Sequence, residues 1–502
     1  MIATVTPNTT AAETVEARFD VAVVGGGLAG LAAAATAARA GRSVVLFEQA
    51  SVAGGRARTR TENGFALNIG PHAFYRTGYS LGILRDLGVE VRAGLLGNEG
   101  AYVVNDGRLY DLPVGIGSLL NTPLLDWRAK LEVGMFLGGV SRMETRPLDG
   151  LTLSEWLGRS LRSSGARRLV EVSIRTASYA DDPDQLSAGA GVRQIQKGLS
   201  GVLYVHGGWQ TVVDDLRSRA EALGVQVVSG ARVAEIELSQ DGLGTDSVRA
   251  VRLADGRRFE VGSAILAVPP RQASALVEDG WQAALAGWAD RAVPIRAASL
   301  DVGLRRLPKP DALVALGFDR PVYLSVHSKW ARLAPDGSAL IHTLRYLGSG
   351  ERGGAEDEHE LEGLLDLMQP GWRDEVLVRR FMPDLTVAGA LPSVAWEQRD
   401  GPRGPRVPDM DGLFVAGDWV GPEGMLADRA LVSGARAGEQ GAQGATGRIP
   451  KGSGATDRGK TAKGAMNRAH TGPVSGGAQA VMPAATAPTP ASGSPSTRAG
   501  AA

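Results

Sequence analysis

A short apolar strand, three consecutive glycines and an alanine-rich segment constrain the fold of this chain more than any other feature. Residues 19–24 read FDVAVV and predict a buried strand, and residues 31–40 predict the helix that follows. Gly25, Gly27 and Gly30 have the spacing of the three glycines in a dinucleotide-binding turn. The first makes the tight turn, the second lets the backbone approach a pyrophosphate, and the third lets the helix pack closely on the strand. The segment therefore predicts a dinucleotide-binding unit in an α/β fold.

An acidic residue ends the second predicted strand. The strand SVVLF is followed by Glu48, which lies 18 residues after Gly30. A carboxylate in this position accepts hydrogen bonds from ribose hydroxyls and disfavours a 2′-phosphate, which argues against NADP. The glycines and Glu48 leave NAD and FAD as the two alternatives.

A second glycine pair follows in a loop, where an NAD dehydrogenase would continue into another helix. Gly54 and Gly55 permit close backbone approach, and the guanidinium of Arg56 is a planar donor suited to a diphosphate. Together with GGGLAG, Glu48 and the NIGPH of residues 68–72, they resemble the flavin-containing amine oxidase superfamily. That superfamily includes phytoene desaturase-like enzymes, protoporphyrinogen oxidases and monoamine oxidases. The resemblance implies a resident, non-covalent FAD.

The far end of the chain carries the other half of the resemblance. The segment GLFVAGDWVGPEGMLADRALVSGARAG is similar to the family's second flavin segment. The match implies that Gly417 and Asp418 contact the ribityl chain or pyrophosphate, and that Met425 and Leu426 lie near the pyrimidine edge of the flavin. The other cofactor contacts that the resemblance implies are those of Gly70 in the NIGPH loop and Val233 on the adenine side.

The fold implied by the resemblance is a Rossmann-like FAD-binding domain (GR2-type) with an inserted α+β substrate domain. Residues 80–200 are mostly helical in pattern, residues 295–345 alternate as in a sheet, and residues 356–368 predict a surface helix with a solvated acidic face. The predicted parts are a flexible leader (1–18), the FAD-binding domain (19–79, 201–290 and 405–440), the substrate domain (80–200 and 291–404) and a tail (441–502).

Composition excludes several classes of function. The 54 basic and 54 acidic residues cancel, so nothing in the global charge calls for a nucleic acid partner. The absence of cysteine excludes disulfides, thiolate catalysis and a cysteine-tethered flavin, and the six scattered histidines predict no metal site. The N-terminus has no secretory pattern, and no apolar run approaches the roughly 20 residues that span a bilayer. We therefore expect a cytoplasmic protein.

Two features leave peripheral membrane contact open. Residues 448–502 carry seven basic residues and one acid, and their composition predicts a disordered tail, with weak contact to anionic lipid as the alternative. The apolar stretches GSLLNTPLLDW (117–127) and LEVGMFLGGV (131–140) are either core, the lining of a lipophilic tunnel, or a membrane patch.

The reaction that the resemblance implies is transfer of a hydride from a substrate C–H bond to flavin N5. The candidate catalytic residue is His72, which follows Gly70 and Pro71 and is either a proton relay or a packed side chain. His206 is a weaker candidate. Amine oxidases carry a lysine in a segment that here reads RAVPIRAASLDVGL and has no lysine. The stretch GDWVGPEGMLADRAL of the C-terminal motif offers only Trp419 as an aromatic residue.

These departures favour one substrate class over the others. We expect a dehydrogenase or desaturase acting on a lipophilic, isoprenoid or carotenoid-like substrate. The alternatives are an oxidase of protoporphyrinogen or amine type and a non-catalytic escort protein that keeps the flavin fold.

Overall fold

The glycine-rich segment lies in a mixed α/β architecture, as expected. The computed structural model describes residues 15–240, 246–278 and 283–445. The strands are β1 (Val15–Val24), β2 (Val44–Glu48), β3 (Thr59–Glu62), β4 (Phe65–Asn68), β5 (Phe74–Tyr75), β6 (Ala93–Leu95), β7 (Ala101–Asn105), β8 (Arg108–Asp111), β9 (Val202–Val205), β10 (Gln226–Ser229), β11 (Val233–Gln240), β12 (Asp246–Leu253), β13 (Arg258–Leu266), β14 (Ile295–Leu304), β15 (Val314–Gly317), β16 (Val322–Ser325), β17 (Ala339–Leu347), β18 (Val376–Ala388), β19 (Met410–Asp411) and β20 (Leu413–Val415). The helices are α1 (Leu28–Arg39), α2 (Tyr79–Asp86), α3 (Ile116–Asn121), α4 (Trp127–Val140), α5 (Leu153–Ser160), α6 (Ser164–Ser178), α7 (Ala188–Leu199), α8 (Gln210–Ala222), α9 (Pro270–Ser274), α10 (Ala283–Arg291), α11 (Ala355–Met368) and α12 (Leu426–Gly444).

The first sheet contains the glycine-rich strand. Its order is β10–β2–β1–β13–β12–β11, with β19 beside β12 and β20 beside β13. Strands β10, β2, β1 and β13 run parallel, and β12 and β11 continue the sheet antiparallel. Val21 and Val23 of β1 pack in the core that contains α1, whereas Ala22 and Val24 pack in the core on the other face. Because both faces are covered, β1 is apolar at consecutive positions.

Small residues bring the two ends of the chain together. Helix α12 packs against α1 with its glycines at the contact: a Cβ on Gly434 would lie 2.3 Å from the carbonyl oxygen of Ala29. One turn further, a Cβ on Gly438 would lie 2.4 Å from the carbonyl oxygen of Ala33. The alanine-rich and glycine-rich compositions of these helices are therefore what lets their backbones approach closely.

The second sheet has the order β18–β14–β17–β16–β15–β7–β8. Helix α11 packs on it through Leu361 and Leu365. The acidic face of α11 is not simply solvated, as the sequence suggested: Glu358 and Glu362 form ion pairs with Arg379 of β18 at 2.6 and 2.7 Å. The acidic run therefore fastens the helix to the sheet edge.

Other boundaries also differ from the sequence prediction. Strand β1 begins at Val15, which pairs with Arg258, so residues 15–18 belong to the sheet and not to a leader. The stretch 93–111 forms strands β6, β7 and β8 within a region expected to be helical. Helix α12 continues to Gly444, past the predicted start of the tail at residue 441. The predictions for residues 1–14 and for the rest of the tail lie outside the described residues.

The two sheets belong to one compact unit. We propose that the first sheet and its helices form the FAD-binding part and that the second sheet, with α3 to α7, forms the substrate part. Among the described residues, no helix is both long and apolar enough to cross a membrane.

Candidate functional site

The turn between β1 and α1 is built from glycines that a side chain would disrupt. Gly25 has φ +105°, and a Cβ there would lie 2.5 Å from the carbonyl oxygen of Ala267. A Cβ on Gly30 would lie 1.8 Å from the carbonyl oxygen of Gly25. Gly27 is the N-cap of α1 and provides no side-chain acceptor. The amides of the first helical turn are therefore available to an anion, as at phosphate sites.

Glu48 holds this turn to the end of β2. Its buried carboxylate accepts the amide hydrogen of Gly26 at 2.7 Å and that of Ala50 at 2.8 Å. The carbonyl oxygen of Glu48 accepts the amide hydrogen of Ala231 at 2.9 Å, which brings the start of β11 at Val233 to the same edge. Each carboxylate oxygen has a further lone pair, so Glu48 can also accept a ribose hydroxyl.

The second glycine pair folds back onto the first turn. Gly54 and Gly55 have φ values of +130° and +54°, in the region that favours glycine. The amide of Gly54 donates to the carbonyl oxygen of Gly26 at 2.8 Å. A Cβ on Gly55 would lie 3.6 Å from the Cα of Gly27. These contacts place the short turn that carries Arg56 next to the N-terminus of α1.

Arg56 joins the two halves of the chain through a two-point ion pair. Its guanidinium donates to the carboxylate of Asp418 at 2.6 and 2.9 Å, across 362 residues of sequence. A further donation goes to the carbonyl oxygen of Val387 at 3.0 Å. Asp418 is buried and also accepts the amide of Gly389 at 3.2 Å. The N-terminal and C-terminal motifs, which the sequence links only by resemblance, are thus in direct contact.

Helix α12 begins within the C-terminal motif, at the position that the resemblance implies. Met425 is the N-cap and Leu426 the first helical residue, with φ +56°. Gly417 has φ +150°, and its amide donates to the hydroxyl of Ser433 at 2.9 Å. The Ser433 hydroxyl in turn donates to the carbonyl oxygen of Gly417 at 2.8 Å. Sequence reasoning missed Ser433, although it is the one hydroxyl residue in the LADRALVSGARAG segment.

The NIGPH loop packs against the second sheet at strands β14 and β18. A Cβ on Gly70, at φ +74°, would lie 3.1 Å from the Leu385 side chain and 3.5 Å from the Ser299 hydroxyl. Both ring nitrogens of the half-buried His72 face backbone carbonyls: Nδ1 is 3.1 Å from that of Gly70 and Nε2 is 3.0 Å from that of Arg56. Burial lowers the pKa of His72 to about 4, although the two carbonyls oppose the shift. His72 is therefore neutral at neutral pH.

A buried polar cluster lies behind this loop and was not anticipated. Asp301 accepts hydrogen bonds from Ser299 at 3.1 Å and Arg380 at 2.6 Å, and its carboxylate lies 2.7 Å from Nδ1 of His342. Burial raises the pKa of Asp301, but His342 and Arg380 outweigh it and hold the pKa below its usual range. His327 stacks on Tyr204 at 3.7 Å, and neither of its ring nitrogens has a hydrogen-bond partner among the described residues. Burial lowers the pKa of His327 well below its ordinary value.

The weaker candidate, His206, is hydrogen-bonded to the backbone. Its Nδ1 accepts the amide hydrogen of Arg332 at 3.2 Å. Among the described residues, no group of three or more histidine, aspartate or glutamate side chains is arranged to hold a metal ion.

The lowered pKa of His72 predicts a pH dependence of stability. In the unfolded chain His72 takes up a proton below about pH 6.5, whereas in the folded protein it resists protonation down to about pH 4. The stability that the neutral side chain contributes is therefore complete above pH 6.5 and is lost as the pH falls toward 4, and between pH 7 and pH 5 we expect a loss of about 1–2 kcal/mol. Urea unfolding of the wild type and of His72→Gln at pH 7 and pH 5 measures it. The variant should lose less stability, and an equal loss in both proteins would contradict the assignment.

The site as a whole fits a flavin dinucleotide. The adenine side of the proposed site has the glycine turn at α1, Glu48 and Val233. The ion pair of Arg56 and Asp418 lies beside this turn, and the flavin side has the N-terminus of α12, which has no side-chain cap. We propose that these residues hold FAD, with backbone amides and Arg56 toward its diphosphate.

The chain matches a family model described as flavin containing amine oxidoreductase over residues 28–440. Among curated proteins it is similar to a 15-cis-phytoene desaturase of Synechococcus elongatus, with 26% identity over 296 residues that cover 52% of this chain and 60% of the relative. The chain thus spans little more than half the length of this relative.

Two solved structures have the same fold. An oxidoreductase from Methanosarcina mazei matches with a TM-score of 0.66 and 20% identity, covering 84% of this chain and 100% of its own. A putrescine oxidase solved with putrescine bound matches with a TM-score of 0.63 and 19% identity, covering 85% of this chain and 99% of its own. At these sequence identities the similarity shows a shared fold and nothing about the substrate.

Proposed function

The chain belongs to the family of flavin-containing amine oxidoreductases, and from this premise we propose that it is a FAD-dependent dehydrogenase of desaturase type. The substrate is lipophilic, of isoprenoid or carotenoid-like chemistry. The family explains the oxidoreductase activity and the FAD cofactor. The substrate class depends on this chain's own side chains.

The proposed cofactor contacts follow the order of the site. Amides at the N-terminus of α1, together with Arg56, bind the diphosphate, and Glu48 binds the ribose on the adenine side. Gly417 and Asp418 approach the ribityl chain, and the N-terminus of α12 faces the flavin. When bound, FAD supplies the acceptor for the substrate hydride.

The aromatic side chains beside the NIGPH loop favour an uncharged substrate, and this observation carries the proposal. The Tyr179 hydroxyl donates to the carbonyl oxygen of Pro71 at 3.2 Å, and the Tyr179 ring lies 6.1 Å from that of Tyr346. The guanidinium of the buried Arg175 lies over the Tyr346 ring at 5.6 Å and pairs with Asp181 at 3.0 Å. Arg175 already occupies one face of the buried Tyr346 ring, so this aromatic pair does not offer a cage for a substrate ammonium, which disfavours an amine.

His72 has a positioning role in this proposal. A neutral imidazole carries one N–H, and both ring nitrogens of His72 face backbone carbonyls of the Arg56 turn and the NIGPH loop. The ring therefore donates to one of these loops and packs against the other, beside the proposed flavin. It has no nitrogen directed away from the backbone that would serve a proton relay.

Anaerobic mixing of the purified holoprotein with candidate substrates tests the proposal. We expect loss of the oxidised-flavin absorbance on mixing with a linear isoprenoid polyene supplied in phosphatidylcholine vesicles, and no loss with putrescine. The third candidate substrate is protoporphyrinogen, and we expect no loss of absorbance with it. Reduction by putrescine or by the porphyrinogen, without reduction by the polyene, would contradict the proposed substrate class.

A further inference from the structure

Helices α3 and α4 of the proposed substrate part expose large apolar side chains that are four residues apart along each helix. On α3, Ile116 and Leu120 are 81% and 63% exposed and stand one helical turn apart. On α4, Trp127, Leu131 and Met135 are 69%, 58% and 62% exposed at four-residue spacing, which places them in one stripe along the helix. The α3–α4 apolar face consists of Val114, Ile116, Leu120, Trp127, Leu131 and Met135.

The exposed stripe of α4 is not needed to build the core. The opposite side of the same helix already packs inward through Ala129, Val133, Phe136 and Val140. A surface helix of a globular protein normally carries polar residues on the side away from the core, and a helix apolar all round is normally buried. Clustered exposed apolar side chains of this kind mark a surface that meets another apolar phase or partner.

The charged groups around the face favour an anionic partner. The guanidinium of Arg128 lies 5.3 Å over the Trp127 ring, and the ammonium of Lys130 donates to the carbonyl oxygen of Leu120 at 2.7 Å, linking the two helices. The carboxylates of the N-cap Asp126 and of Glu132 on α4 accept hydrogen bonds from backbone amides. Asp126 accepts the amide of Ala129 at 2.8 Å, and Glu132 accepts those of Arg162 and Ser163 at 3.0 and 2.9 Å. Exposed cations on or close to α4 are Arg128 on the helix, Arg142 just after its last residue and Arg162, whose amide donates to Glu132, and Glu144 is an exposed acid in the same stretch.

We propose that the α3–α4 apolar face docks on the surface of an anionic lipid bilayer. The aliphatic side chains enter the acyl boundary, Trp127 lies at the headgroup level, and Arg128 with its neighbours faces the lipid phosphates. The choice of a bilayer as occupant rests on the proposed function, because a lipophilic substrate resides in membranes. Neither helix spans the bilayer; they lie on it.

Vesicle sedimentation of the full chain tests this surface without any substrate, so its outcome is separate from that of the reduction experiment. The probes are phosphatidylcholine vesicles with and without phosphatidylserine. The test variant combines Trp127→Gln, Leu131→Gln and Met135→Gln, which keep α4 helical and leave its buried side untouched. The control variant combines Leu199→Gln and Leu223→Gln, two leucines that are 51% and 43% exposed elsewhere.

The wild type and the control should pellet with phosphatidylserine vesicles, and the triple variant should bind about 10- to 100-fold more weakly. Added salt should weaken wild-type binding toward the level on phosphatidylcholine alone. FAD content and the urea midpoint should be the same in all three proteins. Unchanged binding by the triple variant, or no binding by the wild type, would overturn the proposal. A wild-type dimer that the triple variant converts to a monomer would also overturn it and assign the face to a second copy of the chain.

Discussion

Replacing Gly30 with alanine is expected to lower the free energy of unfolding by more than about 3 kcal/mol and to leave the purified protein without bound FAD. The new Cβ would lie 1.8 Å from the carbonyl oxygen of Gly25 and 3.2 Å from the Ala267 side chain. The nearest atom belongs to the backbone of the glycine turn, which cannot rotate away as a flexible side chain could. Relief requires α1 to move from β1, and this movement opens the proposed diphosphate site.

The matched control for Gly30 is Gly82, which is also a helical glycine. A Cβ on Gly82, in the interior of α2, would meet no atom within 4 Å. Gly82→Ala should therefore keep its FAD and gain up to about 1 kcal/mol from helix propensity. Urea unfolding and the ratio of flavin to protein absorbance measure both effects. If Gly30→Ala behaved like Gly82→Ala, the close packing of α1 on the glycine turn would be disproved.

Replacing Arg56 with alanine is expected to weaken FAD binding at least about tenfold and to cost about 2–3 kcal/mol of stability. The change leaves the carboxylate of Asp418, which is 4% exposed, with the amide of Gly389 as its remaining hydrogen-bond donor among the described residues. Loss of one partner of a fully buried pair costs 3–5 kcal/mol, and the lower figure here reflects the 41% exposure of the Arg56 side chain. The affinity falls because the donor proposed for the diphosphate is removed at the same time.

Two further variants separate charge from geometry at this pair. Arg56→Lys keeps the positive charge but cannot form the two-point contact with Asp418, so its FAD affinity should lie between those of the wild type and Arg56→Ala. Arg60→Ala removes a nearby arginine that is 74% exposed and 3.5 Å from Glu62, and should change neither property measurably. Titration of the apoproteins with FAD gives the dissociation constants. Equal losses in Arg56→Ala and Arg60→Ala would contradict a specific role for Arg56.

The parts of the site that follow from local backbone chemistry were predictable from the sequence. The glycine turn and the end of β2 at Glu48 lie where the motifs predict them. Each depends on residues close together in the chain, where glycine spacing and strand length limit the conformations. The contact of Arg56 with Asp418 could be expected only through the family resemblance, because no local rule joins residues 362 positions apart.

The parts that were missed depend on tertiary contacts. The cluster combines Asp301 of β14 and His342 of the neighbouring β17 with His327, which follows β16, and the pairing of these strands cannot be read from the spacing of the residues. Strand β1 extends back to Val15 because β13 offers a parallel partner, although the sequence there is polar and alternates weakly. In the same way the sequence predicts a solvated acidic run on α11, because its partner Arg379 lies on a different element.

The central claim is that two motifs at opposite ends of the chain form one site for a non-covalent FAD. The most direct measurement is release of the cofactor from the purified full chain by heat or acid, followed by chromatographic identification and quantification. We expect close to one FAD per chain in the released fraction and none left on the protein. Release of NAD, retention of flavin on the denatured protein, or a colourless protein that does not take up added FAD would contradict it.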